Sequence, residues 1–295
     1  MSETRTSIPI VGNERPKLPW PVRWAGLIQS AFLIVIAVIA LVPILAIFLG
    51  TFQDGGTLLR SGVTFAIDFG SFDLDSYWVL LTESGDYFVW FWNSLWLTAV
   101  QVVLTLLISS FVSYGIAMYE FRGKQAVFIA VLIVMTVPFE MIMLPLYVQV
   151  NDFGLADTFT VIFLPFLAHA MTIFFFRQYF LGVPYELVEA GRVDGVSEFG
   201  IFFRLVLPIA KPAVAAMAIL NGMLCWNNFL WPLLVLRSSD KFILPIGLNA
   251  LLTPHGNNYD LLIVGAFFSL IPILLLFLAF QRYFIEGMTA GAVKG

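Results

Sequence analysis

Charge is scarce in this sequence. Asp, Glu, Lys and Arg make up 12% of its 295 residues, about half the share carried by a soluble globular domain, so most of the surface must face something other than water. The formal net charge of −4 excludes the broad basic field of a nucleic-acid-binding protein. The single cysteine, Cys225, excludes an intrachain disulfide and any cysteine-based metal cluster, and it is expected to act as a small apolar packing residue. The two histidines, His169 and His255, lie far apart with no His-x-x-x-His pair or carboxylate triad beside them, which leaves no metal site and no catalytic constellation. A phosphate-cradling loop of the G-x-x-x-x-G-K-S/T kind is missing as well, so the chain cannot itself be an ATPase. No repeat and no compositional break marks a second, soluble domain.

Long hydrophobic runs are what the chain has in excess: 60% of residues are hydrophobic, with 30 Phe and 8 Trp. A bilayer core requires about 20 apolar residues as helix. Six windows meet this, at about Ala25–Phe52, Val89–Met118, Gln125–Val150, Phe159–Gly182, Ile209–Leu236 and Leu261–Phe284. The third and fifth are interrupted by prolines and polar groups. The first is longer than a signal-peptide core and is followed by Gln53-Asp54-Gly55-Gly56 without a small-x-small cleavage pattern, so it is expected to be a retained anchor.

Lys and Arg orient these spans. Arg5, Arg15, Lys17 and Arg23 precede the first span, Arg122 and Lys124 follow the second, and Arg177, Arg192, Arg204 and Lys211 lie between the fourth and fifth, with Arg282 and Lys294 at the end. Only Arg60, Arg237 and Lys241 fall on the other side. The expectation is an all-α, polytopic membrane protein with six transmembrane helices and both termini in the cytoplasm: a tail at 1–24, a membrane domain at 25–284 and a tail at 285–295. The outer loop at 53–87 is acidic, with Asp54, Asp68, Asp73, Asp75, Glu83 and Asp86, and carries Phe72, Tyr77 and Trp78. It suits an extracytoplasmic partner, or simply follows the bias against outer cations.

The loop at 184–208 has a more specific pattern. Pro184 suits a first helical turn. Leu187, Ala190, Gly191 and Asp194 fall at i, i+3, i+4 and i+7, on one side of a short helix, and the small Ala190 and Gly191 would permit close approach by another surface. Gly195 is placed to stop the helix in a left-handed conformation, and Ser197 to cap a second helix from Glu198. The spacing predicts helix, glycine hinge, helix.

Glu189-Ala190-Gly191, three residues, Gly195, nine residues and Leu205-Val206-Leu207-Pro208 resembles the EAA loop of binding-protein-dependent ABC importer permeases, with Gly191 in place of the second Ala and Leu205 in place of Ile. The resemblance runs from about Asn93 to the C-terminus. Pro138-Phe139-Glu140, Leu144-Pro145-Leu146-Tyr147, Asn151 to Thr158, Trp226 to Leu233 and Gln281 to Gly287 are similar to the carbohydrate-uptake subgroup of maltose-transporter type, in the subunit whose C-terminal tail reaches the ATPase pair. The resemblance implies a type I importer permease fold in a bacterial-type inner membrane. It implies coupling to the ATPase through Glu189, Ala190, Gly191, Asp194 and Gly195. The implied partners are a second homologous permease, two ATP-binding cassette subunits and an extracytoplasmic solute-binding protein, in contact with membrane lipid. ATP and Mg would sit on the cassette subunits, with no cofactor on this chain.

Polar residues inside the spans are candidates for a solute path. Glu140, at mid-bilayer, is costly unless it faces protein, water or a partner, and gate and structural hydrogen bond are both open. Asn221, Trp226, Asn227 and Asn228 offer amides for hydroxyls and a ring for sugar stacking. They also suit interhelical bonding and the interfacial belt. The leading expectation is a sugar-importer permease. The alternatives are the same transporter class for a glycerophosphodiester or peptide, and a proton-coupled secondary transporter built on Glu140.

Overall fold

The computed structural model describes residues 20–55, 74–82, 85–253 and 256–292. Arg60, Phe72, Asp68, Asp73, Glu83, His255, most of the N-terminal tail and Lys294 lie outside them. Among the described residues, three helices are long and apolar enough to cross a membrane: within α1 (Trp20–Gly50), across α3 (Gly85–Met118), and within the last helix, α13 (Tyr259–Ala292); the short α2 (Asp75–Thr82) precedes α3 and the short α12 (Leu244–Ala250) precedes α13. Three more spans arise if each bent helix pair counts as one crossing. These pairs are α4 (Lys124–Thr136) with α5 (Phe139–Asp152), bent by 99°; α6 (Thr160–Phe163), with its 3-10 turn Leu164–Phe166, and α7 (Ala170–Phe180), bent by 44°; and residues 198–209 with α10 (Lys211–Trp226), bent by 79°.

The sharpest bend has a local cause. Pro138 caps α5 in extended conformation, and the residue before a proline is driven out of the helical region, so the third window breaks at Val137–Pro138. Pro145 is accommodated within α5 instead. The fifth window is interrupted again at 227–229, before α11 (Leu230–Val235). The fourth is also broken, at 167–169, which its composition did not foretell.

The second span, α3, is the central post, packed against α7 and α10; α10 in turn packs against α13. Its polar residues form the inward stripe Asn93, Ser94, Gln101, Thr105, Ser109 and Ser113, spaced so that they share one helical side. Thr105 donates to the Phe166 carbonyl at 3.1 Å, Ser113 to that of Ile173 at 2.7 Å, and Cys225 Sγ lies 3.1 Å from Gln101 Oε1. Hydroxyls and amides of this kind bind helices together where lipid supplies no hydrophobic drive. By contrast, α1 exposes Leu27 through Val42 almost continuously and buries Ala46 and Gly50 at its end, near which Phe48 meets Phe267 of α13 at 5.3 Å. The all-α expectation holds apart from a two-residue ladder, Leu252–Thr253 against Gly256–Asn257, before α13.

Candidate functional site

The 184–208 loop folds as a hairpin of helices. α8 (Glu186–Val193) ends at Gly195, whose φ is +75°. Val196 N–H bonds the Gly191 carbonyl at 2.9 Å and Gly195 N–H the Arg192 carbonyl at 3.0 Å, the pair of bonds that satisfies a helix end around a left-handed residue. Ser197 Oγ then accepts from Gly200 N–H at 3.2 Å and caps α9 (Glu198–Ile201). The second arm continues through a π turn, Phe202–Val206, and the short turn Leu207–Ile209. Pro208 explains the wider turn: its ring crowds the carbonyl four residues back.

The residues expected to couple to an ATPase do not share one side of α8. Val188 and Gly191 are buried, and a Cβ on Gly191 would stand 3.0 Å from both Ile201 and Leu205. Gly191 therefore lets the two arms of this same chain approach, instead of receiving an outside surface. Glu189, Ala190, Asp194 and Gly195 are exposed with Glu186, Leu187 and Val193, the last at 87%. An apolar residue so open at a helix end, ringed by acids, is suited to a partner surface. The hairpin is seated in the bundle by Val188, Ile201, Phe202 and Val206, all fully buried against Tyr114, Phe176 and Phe180.

A polar clamp holds the hairpin to the end of α3. Arg192 grips Glu198 through two nitrogens, at 2.7 and 3.3 Å, and donates to Tyr185 Oη at 2.9 Å. Tyr119, just past α3, donates to Glu198 Oε2, the oxygen that also takes the longer Arg192 bond, and lies under the Arg192 guanidinium, 5.6 Å from ring centre to Cζ. Hydrogen bonds from Arg192 and Tyr119 hold the Glu198 carboxyl below its ordinary pKa. Sequence reasoning missed this clamp; its trace was a cation and an anion six residues apart across a glycine hinge.

A second polar knot sits at the opposite end of α3. Asp157, at φ +57°, accepts from Arg237 N–H at 2.9 Å, Ser238 N–H at 3.1 Å, Ser238 Oγ at 2.5 Å and Lys241 Nζ at 3.1 Å. Arg237 also reaches Asn151 Oδ1 at 3.0 Å and Tyr147 Oη at 3.2 Å. Two of the three cations that stood on the anion-biased side are thus consumed in tying the loop before α6 to the loop after α11. Burial pushes the Asp157 carboxyl up, but these donors outweigh it and hold the group well below the usual carboxylate range.

The solute-path candidates divide. Asn221 is buried and donates to Met217 O at 2.8 Å and Thr172 Oγ1 at 3.0 Å, while Thr172 also meets His169. Trp226 is buried and donates to the Ser269 carbonyl at 3.1 Å. Both therefore join helices. Asn227 and Asn228 are not buried and lie at the break before α11. Glu140, expected within the third span, lies at the break between the two helices of that pair, exposed in the first turn of α5 beside the 99° bend, with no hydrogen bond or ion pair among the described residues. The helix N-terminus favours its negative charge there. The breaks of the third and fourth spans meet Trp231 of α11 through Phe139, which lies 4.8 Å from Phe166 and 5.8 Å from Trp231. An apolar cavity of about 460 Å³, lined in part by Val137, Phe139, Phe166 and His169, opens beside them.

Residues 106–290 match the family described as binding-protein-dependent transport system inner membrane component. The chain belongs to that family. This inner membrane component is 49% identical over 272 residues to the arabinooligosaccharides transport system permease protein AraQ of Halalkalibacterium halodurans, covering 92% of this chain and 96% of that one. It is 34% identical to the lactose transport system permease protein LacG of Rhizobium radiobacter, over 95% of this chain and 98% of that one. A bacterial ABC transporter involved in import of the acidic polysaccharide alginate shares its fold, with a TM-score of 0.75, 24% identity, and coverage of 92% of this chain and all of that one.

Proposed function

We propose that this family member is one of two permease subunits of an ATP-driven importer for an oligosaccharide. The observation that carries the reading is the hairpin: a helix–glycine–helix unit built into the bundle, with the Glu186, Ala190 and Val193 side left open for a partner. In this reading both termini and the hairpin face the cytoplasm, a pair of cassette subunits binds ATP and Mg against the hairpins, and an extracytoplasmic binding protein delivers the solute. This chain binds no cofactor. It converts closure of the cassettes into a change of access, through Glu189, Ala190, Asp194 and Gly195 outside and Gly191 within.

The solute path is proposed to run past the exposed groups at the helix breaks, Glu140, Asn227 and Asn228. Asn221 and Trp226 hold the surrounding helices. The relatives named for arabino-oligosaccharides, at 49% and 47% identity over nearly the whole chain, support an oligosaccharide over a glycerophosphodiester or peptide. Family membership also weighs against a proton-coupled carrier built on Glu140.

The test is purification of the tagged chain with the products of neighbouring genes, followed by reconstitution and uptake of labelled arabino-oligosaccharide. Recovery with a second permease and ATPase subunits, and uptake that requires ATP and a binding protein, is expected. A chain recovered alone, or uptake driven by a proton gradient without ATP, would overturn the reading.

A further inference from the structure

We propose that Tyr119, Arg192 and Glu198 are positioning residues that deliver movement of the hairpin into the second span, and that α3 carries it as a rod to the Asp157 knot at the other end of the molecule. The inference rests on the importer reading above and adds a route for the motion.

Besides its packing on Phe176 and Phe180 of α7, whose span is itself bent by 44°, the hairpin has two paths out. Along the chain, the second arm enters α10 only through a π turn, Pro208 and a 79° bend. Such a joint has widened hydrogen bonds and a missing donor, so it yields to a push. Sideways, the hairpin meets α3 through stiffer contacts. A bidentate charged pair is directional as well as strong, and Arg192–Glu198 locks the two arms to each other while Tyr119 holds the locked pair. Beside it Phe111 of α3 stacks on Phe199, with ring centres 5.6 Å apart and planes within 12°.

From there α3 runs unbroken for 34 residues, whereas the third, fourth and fifth spans are all bent. At its far end Asn93 donates to the carbonyls of Asp240 and Phe242, both at 2.9 Å, and Ser94 Oγ accepts from Leu244 N–H at 2.7 Å. Trp90 adds a bond to the Ser239 carbonyl at 3.0 Å. These are the neighbours of Arg237, Ser238 and Lys241, which hold Asp157. A single unbroken helix thus grips the hairpin at one end and the knot at the other.

The test uses the complete reconstituted transporter carrying Ser239→Cys, an exposed site beside the knot, while the native Cys225 is buried. The readouts are the rate of modification by a membrane-impermeant maleimide with and without ATP, and solute imported per ATP hydrolysed. With Tyr119 intact, ATP is expected to change the labelling rate. Tyr119→Phe keeps the ring and removes the donor; it should abolish most of that change and lower solute per ATP by about fivefold, the low end of measured coupling between sites. Glu198→Gln, which preserves an acceptor, should act in the same direction. An ATP-dependent labelling change that persists in both variants with solute per ATP unaltered, or a rate indifferent to ATP in the transporter with Tyr119, would overturn the rod. Failure of the unaltered transporter to import with ATP would instead overturn the importer reading itself.

Discussion

Gly191 and Leu205 face each other across the hairpin so closely that a Cβ on Gly191 would stand 3.0 Å from Leu205 Cδ1. These are the two positions at which the loop departs from the E-A-A, G, I-x-L-P pattern, and they touch. The missing methyl on the first arm leaves room for the Leu205 and Ile201 side chains reaching from the second.

The expected consequence is non-additivity. Gly191→Ala gains about 1 kcal/mol of helix preference, but forces Ile201 and Leu205 aside in a packed seam, where overpacking costs about 1–3 kcal/mol. Leu205→Val should therefore cost less in the Gly191→Ala background than in the parent, with a coupling of about 0.5–3 kcal/mol. Thermal unfolding in detergent of the parent, both single variants and the double variant measures this, and additive shifts would dissolve the link between the two positions.

Gly195 has open space around it and a left-handed backbone, so its requirement is conformational. A side chain with a branched Cβ costs about 1–2 kcal/mol or more in that region, while Asn tolerates it. Gly195→Val is expected to abolish ATP-driven uptake with the chain still in the membrane; Gly195→Asn should retain uptake. Equal loss in both would mean the glycine is needed for something other than its φ.

Acid should loosen the protein at both ends. Hydrogen bonds from Arg192 and Tyr119 depress the Glu198 pKa; burial opposes but does not prevent the depression of Asp157 by its donors from Ser238, Arg237 and Lys241. A carboxyl with a lowered folded pKa contributes stability that is complete above its unfolded value, about 4, and lost as pH falls through the folded one. Unfolding temperature should fall with pH below about 4. Asp157→Asn, which keeps an oxygen acceptor and suits the same backbone, should lower stability at neutral pH and flatten part of that acid dependence. An unchanged acid profile in both Asp157→Asn and Glu198→Gln would contradict the two depressed carboxyls.

Asn221 and Asn227 should separate support from transport. Asn221→Ala leaves Thr172 short of a partner in a buried site, at a cost of about 1–3 kcal/mol, and should lower stability without altering solute preference. Asn227→Ala removes only an exposed side chain whose bond is to Met223 O, four residues back, and should alter apparent KM for uptake with little change in unfolding temperature. The reverse pattern would move the solute path inward to Asn221.

Much of this was legible in the chain. The six apolar windows, Gly195 and the Ser197 cap are local patterns, and local patterns survive folding. Which side of α8 turns inward was not legible, because Ala190 and Gly191 are both small; only the position of Ile201 and Leu205 decides that Gly191 is the buried one. How Glu140 is presented was not legible for a similar reason. Pro138 announced a disturbance, but a kinked helix and a 99° turn have the same composition, and only the turn brings the carboxylate to a helix start on an exposed surface. The two polar knots depend on residues 79 to 84 positions apart, as in Tyr119–Glu198 and Asp157–Lys241, a distance that no periodicity reports. Arg237 and Lys241 were two of the three cations counted against the majority side, and the knot gives both of them partners there.

The open side of α8 is expected to dock on an ATP-binding subunit. Val193→Cys places one reactive thiol at its most exposed large apolar residue, with Cys225 buried and silent. In the intact complex, a short bis-maleimide is expected to join this residue to an ATP-binding subunit carrying a cysteine at its membrane-facing surface, in a yield that changes with ATP. A complex that retains its ATPase subunits yet gives no such product from any membrane-facing cysteine tried would contradict the claim.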